Sequence, residues 1–326
     1  MQKDVTEAGR LESGRGREAE TPQQIPARGM KDVFWRLYAA ITEDRVMLIA
    51  AGVTYYLLLA LFPAMAALVS IYGFVASPVD IAERIVFLST VMPADALNIF
   101  LDQLKSLASQ DSSTLSIGLV AGLGIALWSA NNGMKALFEA MNVAYQETEQ
   151  RSFVRLNAIS LLFTFGTMIL VIILIVAMGV IPAMLAFLRL DAWAETIISV
   201  MRWPLMVLFV AGGIAILYRF GPSREPAKVR WLTWGTVFAT VFWLAASIGV
   251  SFYLSNFADY NATYGTLGAM IGFMVWTWVS VIIVIIGAEI NAELEHQTAR
   301  DTTTGPPEPI GARGAFMADT VGEASG

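Results

Sequence analysis

Cysteine is missing from all 326 residues, which removes disulfides, thiolate metal sites and cysteine nucleophiles together. Histidine occurs once, at His296 in the polar tail, so a histidine-rich metal centre cannot be assembled and a Ser-His-Asp arrangement would have only this residue to draw on. No glycine-rich phosphate loop followed by Lys and Ser or Thr occurs, which argues against an intrinsic ATPase. Charge is scarce as well. Asp, Glu, Lys and Arg make up 15% of the chain, against about 25% in an ordinary soluble domain. That is too little to coat a water-facing surface. The net charge of −6 comes with no basic tract, so nucleic acid is not an expected partner.

What fills the chain is apolar: 56% of residues are hydrophobic and mean hydropathy is +0.61. Cutting at the ionisable side chains leaves six long neutral runs, 46–79, 112–134, 156–188, 203–218, 231–258 and 260–288. A membrane-spanning helix needs roughly 20 apolar residues to cross a hydrocarbon core of about 30 Å. The run 203–218 is short alone, but Arg202 and Arg219 can hold their charged heads at the two interfaces. The runs are continuously apolar instead of alternating, which favours helices over a barrel. The fold class expected is all-α: a polytopic membrane helix bundle of about six transmembrane helices with interfacial amphipathic helices. The spans are placed at about 46–75, 114–134, 157–181, 203–220, 232–255 and 266–288.

Orientation follows from Lys and Arg near the spans. With the N-terminus inside, thirteen of these residues from 28 onward fall on the inner side, against Arg84, Lys105, Arg189 and Arg202 outside. The expected location is the cytoplasmic (inner) membrane, with both termini cytoplasmic. No cleavable signal peptide is expected, because the first apolar run comes late and is too long for a signal core. Residues 1–30 and 299–326 are polar and rich in Gly and Pro, so they are read as disordered tails around a membrane domain at 31–298. Val33, Phe34, Leu37, Tyr38 and Ile41 form one stripe, predicting an amphipathic interfacial helix over 31–45. Two further amphipathic helices are expected over 80–110 and a shorter piece over 191–201, all external.

Several motifs carry two readings each. Pro63 in the first span either kinks a cavity wall or is a packed proline. Gly118 and Gly122, like Gly268 and Gly272, stand at GxxxG spacing and read more readily as intramolecular helix contacts than as a dimer face. Asn131, Asn132 and Asn142 gather near the inner end of the second span, where they line a polar pocket or sit hydrated at the interface. Tyr253, Tyr260 and Tyr264 mark the outer loop between the last two spans, where an aromatic belt is the better reading. Glu289 closes the sixth span. It either pairs with a base such as Arg219 and takes part in proton coupling, or is a solvated boundary acid.

Taken together, Tyr55-Tyr56, Phe62-Pro63, Trp128 to Asn142, Tyr218-Arg219-Phe220-Gly221-Pro222, Trp231, Gly235, Tyr253, Tyr260, Tyr264-Gly265, Trp276, Gly287-Ala288-Glu289 and Asn291 resemble, in order and spacing, the YihY/BrkB family of bacterial inner-membrane proteins. The resemblance runs from about Lys31 to His296 and leaves the tails outside it. It implies a six-helix membrane fold and a transport role, with export of envelope lipid or lipopolysaccharide suggested for some members. Some relatives carry the name ribonuclease BN, whose zinc chemistry needs several histidines where this chain has one.

The expectation is therefore a membrane transporter, not an enzyme, that translocates a lipid or other amphiphilic envelope component. Its polar pathway is expected to draw on Asn131, Asn132, Asn142, Arg219, Tyr264 and Glu289, with no catalytic residue, cofactor or metal. Expected partners are the bilayer, an amphiphilic substrate, and a second copy or an envelope protein. The alternative is a non-transporting scaffold or accessory subunit of envelope machinery. A solid helix bundle favours the scaffold, and a lateral cavity with a polar floor favours transport.

Overall fold

The computed structural model describes residues 14–75, 112–177, 192–256 and 268–324. The chain is an all-α membrane bundle. Helix α1 (Ala27–Glu43) is followed by α2 (Val46–Val75), α3 (Ser112–Ala144), α4 (Phe153–Ile175), α5 (Ala192–Phe220), α6 (Val229–Asn256) and α7 (Gly268–His296). A one-turn helix α8 (Phe316–Asp319) lies near the C-terminus. Among the described residues, four stretches are long and apolar enough to cross a bilayer: Phe153–Leu174, Thr196–Phe220, Val229–Tyr253 and Met270–His296. Val46–Ala60 in α2 is a shorter apolar stretch. The expected amphipathic helices over 80–110 lie outside the described residues, as does Tyr264.

The six long helices map onto the six neutral runs because each run has no other way to satisfy its peptide groups in hydrocarbon. One expectation changes. The amphipathic piece over 191–201 is not a separate connection, since α5 runs unbroken from Ala192 through Pro204 to Phe220. Proline forfeits one backbone donor, whereas ending the helix there would strand several peptide groups in an apolar setting.

The described N-terminal and C-terminal segments, from residue 14 and up to residue 324, gather at one end of the bundle, the terminal face. α2, α4 and α6 begin there, while α3, α5 and α7 end there. α3 stops through a turn centred on Gln146, at φ 53°. The Gln146 and Glu147 N–H groups donate to the Val143 and Asn142 carbonyls, 2.9 and 2.8 Å away. This is a Schellman stop, with Gln where glycine is usual.

Among the described residues, the core concentrates at the terminal half. Val46, Phe138, Met141, Tyr145, Tyr218 and Ile285 are buried together, with Ala50, Ala140, Ala144, Ala288 and Ala292 completely covered between helices. Alanine lets backbones approach, and in lipid that packing stands in for the hydrophobic drive that water would supply. The closest approach is where α6 crosses α7. A Cβ on Gly235 would collide with the Gly287 carbonyl and the Asn291 side chain, and one on Gly287 would strike the Tyr218 hydroxyl. Gly122, in contrast, has no described atom within 4 Å of a notional Cβ.

α4 and α5 are built differently. Leu162, Ile169, Ile172, Val200, Leu205 and Leu208 each expose more than half of their area. In water so wide an apolar surface would drive aggregation, and in a bilayer it is the lipid-facing wall.

The tails also depart from expectation over much of their length. The Arg17 guanidinium donates to the Gln297 and Gly322 carbonyls, at 3.2 and 2.7 Å, and Thr298 Oγ1 donates to Ala19 O at 2.7 Å. Arg313, 5% exposed, donates to the carbonyls of Ala299 and Ala318 at 2.9 and 2.6 Å. Ile25 and Val33 pack with Trp231 and Leu294. Composition counts these segments as poor in apolar area, but each buried arginine ties several carbonyls together, and charge-assisted bonds offset part of the ordering entropy. α1 carries the predicted amphipathic stripe. Val33 faces inward, while Phe34, Trp35 and Tyr38 are exposed and meet edge to face.

Candidate functional site

The loop from α3 to α4 and the loop from α5 to α6 meet at the terminal face, held by a set of polar contacts. Asn142, at the end of α3, accepts from the Ser223 N–H at 2.7 Å and donates to Glu149 at 3.2 Å. Glu149 takes both arms of Arg151, at 2.7 and 2.6 Å. Burial works against the Glu149 charge, but the Arg151 guanidinium and N–H and the Asn142 amide outweigh it and hold the carboxyl at about 2. Arg151 reaches on to the Gly221 carbonyl at 2.9 Å. Arg224 forms a buried two-armed pair with Glu295 at 3.0 and 2.5 Å and lies over the Tyr145 ring. Both side chains of that pair are 1% exposed. Burial disfavours the Arg224 charge, and Glu295 more than restores it.

Beneath this clamp, α4 and α5 part. α4 meets α5 only sparingly, while each packs on its other neighbour, α3 or α6. Between them lies a groove of about 1400 Å³, larger than the usual small-molecule pocket of roughly 300–1,000 Å³. Its walls are apolar, with Leu162, Ile169, Ile173, Leu208, Phe209 and Ile216 among them. Leu162 and Leu208 are also strongly exposed, so the groove opens sideways onto the lipid-facing surface. Along α4 it runs from Arg155 to Ile173, about 27 Å at 1.5 Å per residue. Its terminal-face end is polar: Arg151, Arg155, Arg219 and Arg224 line it with Glu147, Glu225 and Asp319. Small residues hollow it out. A Cβ on Gly166 or Gly212 would meet nothing within 4 Å.

Of the six residues expected to form a pathway, Tyr264 lies outside the described residues and the other five do not converge. Arg219 alone among them lines the groove; its Nε is buried with no hydrogen-bond partner, and its guanidinium lies 5.3 Å from the Phe220 ring centre. Asn131 ties α3 to α4, accepting from Ser160 at 2.6 Å and donating to Asn157 at 3.2 Å. Asn132 sits half-buried beside it. Asn142 belongs to the clamp. Glu289, 1% exposed, does not meet Arg219. It faces Asp44 and Glu293, and burial pushes the Asp44 carboxyl up, opposed by the Glu289 contact. The single histidine is not in a loose tail either. His296 ends α7, 3.0 Å from Thr320 Oγ1, with its ring against Phe316.

Sequence reasoning missed Arg155 and the pairs Arg151–Glu149 and Arg224–Glu295. The arginines entered only as topology signals. Their clustering on two loops at the same membrane side was the available sign of a shared site. Among the described residues, no group of three or more His, Asp or Glu side chains is placed to share a metal ion.

Residues 37–310 match the family model described as virulence factor BrkB. The chain belongs to the BrkB family. It is 34% identical over 258 residues to the ribonuclease-like protein YfkH of Bacillus subtilis, covering 75% of this chain and 88% of that one. A UPF0761 membrane protein of Rhodospirillum centenum is 28% identical, over 84% of this chain and 60% of its own length. One from Tolumonas auensis is 24% identical, over 83% and 86%. No solved structure matches. Several residues behind the BrkB resemblance meet at the α6–α7 crossing. The Gly235 N–H donates to Asn291 Oδ1 at 2.7 Å, and the Tyr218 hydroxyl donates to Val284 O at 2.7 Å, one turn from Gly287. Their shared role is to hold two backbones in contact.

Proposed function

We propose that this BrkB family member is a transporter that moves a lipid or similar amphiphile across the cytoplasmic membrane, with the terminal face inside the cell. The observation that carries the reading is the lateral groove between α4 and α5. An amphiphile needs a path that shelters its head from hydrocarbon while leaving its tail in it. A groove with a polar end, an apolar length and an open side meets both needs. At about 27 Å, the α4 wall is close to the hydrocarbon thickness of about 30 Å. The ribonuclease-like name of the Bacillus relative is not carried over, because one histidine cannot build a zinc nuclease centre. The protein is read as acting without enzymatic chemistry.

The test is leaflet exchange of headgroup-labelled lipids in vesicles holding the purified full chain. Exchange should exceed that of empty vesicles. Gly166→Trp and Gly212→Trp, which fill the groove from positions with open space, should lower it at least about tenfold, the equivalent of roughly 1.4 kcal/mol. Gly249→Trp also points a new side chain into open space, but away from the groove, and should leave exchange unchanged. Wild-type exchange no faster than protein-free vesicles overturns the reading in favour of a scaffold. A reporter fused after Gly326 should be active in the cytoplasm.

A further inference from the structure

The groove's polar end holds two arginines that form no ion pair among the described residues. Arg155, in the first turn of α4, and Arg219, in the last turn of α5, both line its polar end. Neither forms an ion pair with any described residue. The other two arginines there are already occupied, Arg151 by Glu149 and Arg224 by Glu295.

Two of the three acids at the same end are engaged by backbone. Glu147 Oε1 accepts from the Phe316 N–H at 2.7 Å. Asp319 Oδ1 accepts from the Gly311 and Arg313 N–H groups at 2.7 and 3.0 Å, and its Oδ2 lies 3.4 Å from the Ala315 N–H. Glu225 stands on the α5–α6 loop against Gly314. These three acids sit on the loops and C-terminal segment that cap the groove, while Arg155 and Arg219 stand on the helices that form its walls. Leaving a guanidinium unpaired out of water is costly, and Nε of Arg219 is already out of solvent, while Arg155 is exposed at the groove mouth. The positive end of α4 adds to the potential beside Arg155.

From this we infer that Arg155 and Arg219 bind the phosphate of an anionic lipid headgroup, whose acyl chain lies along the groove between α4 and α5. Guanidinium is the side chain best suited to phosphate, because its fork presents parallel donors to two oxygens. The apolar wall continues from the arginines without a break, so one ligand satisfies both halves. The inference rests on the transport reading for the groove's purpose, but it concerns recognition and stands or falls separately.

Native mass spectrometry of the full chain in detergent, titrated with phosphatidylglycerol, phosphatidylcholine of the same chains, or inorganic phosphate, tests it. Wild type should prefer phosphatidylglycerol by about tenfold, which is what a charge-assisted bond contributes at its lower end. The doubly substituted Arg155→Gln, Arg219→Gln protein should lose that preference while keeping its melting temperature. Arg219→Lys should keep part of it. Arg230→Gln, an exposed arginine outside the groove, should keep all of it, and Gly212→Trp should abolish binding of both lipids. Equal binding of the two lipids by wild type overturns the assignment, as does a preference that survives the double substitution or falls equally in Arg230→Gln. Inorganic phosphate binding as tightly as the lipid overturns the acyl-chain half. A retained lipid preference without leaflet exchange would sink transport and leave the headgroup site standing.

Discussion

The terminal half of the bundle and the α4–α5 pair use opposite means of being stable in oil. In the first, alanines and the paired Gly235 and Gly287 bring α2, α3, α6 and α7 into backbone contact, and buried ion pairs lock the loops above them. In the second, leucines and isoleucines point outward and the two helices barely touch. Tight packing is spent where nothing needs to pass. Where a groove is required, the helices rely on lipid to cover their flanks, and a few polar bonds such as Asn131 to Ser160 set their position.

That contrast is open to attack by substitution. The largest effect is expected at Glu295→Ala, which strands Arg224 where its side chain is 1% exposed; breaking such a pair costs about 3–5 kcal/mol. The detergent-unfolding midpoint should fall accordingly, and an unchanged midpoint would mean that the loops are not locked by this pair. Next comes Gly287→Val, which forces atoms into the α6–α7 crossing at about 1–3 kcal/mol or more. It should also shift the Gly235 amide, measurable as faster hydrogen exchange.

Acid probes the clamp more gently. Glu149 has a folded pKa of about 2 against an ordinary 4.5, so its contribution to stability is complete above about pH 4.5 and is lost as pH falls toward 2. Melting measured across that window should slope for wild type and flatten for Glu149→Gln. The smallest effect belongs to the lipid wall. Leu208→Ala, at a residue 67% exposed, should change stability by less than about 0.5 kcal/mol. A loss of several times that would show a packed surface there, and the contrast between the two regions would fail.

Much of this architecture is legible in the chain. Each neutral run holds a helix, but α3 runs on ten residues past Met134, α7 eight past Ala288, and α5 starts eleven before Trp203. The amphipathic stripe over 31–45 is present in α1. The candidate site was less legible. Arg219 was named for it, but Asn131 and Asn142 turned out to be fastened to Ser160 and Ser223, and Arg155 was passed over. An asparagine near a membrane looks functional in sequence whether it holds two helices together or meets a substrate, because both uses need the same amide. An arginine at a helix end looks like a topology marker until its counter-charges are located.

By itself the sequence determined that the protein lies in a bilayer, that it does so as helices, and which stretches they are. Those facts follow from local quantities: run length, the absence of charge, and peptide groups that oil cannot solvate. Only the tertiary structure decided that the described parts of the tails fold onto the terminal face, that α6 and α7 meet at glycine, and that α4 and α5 stand apart with Arg155 and Arg219, unpaired among the described residues, between them. Each of these depends on which residues distant in the chain become neighbours, and hydropathy along a line carries no information about partners across a gap.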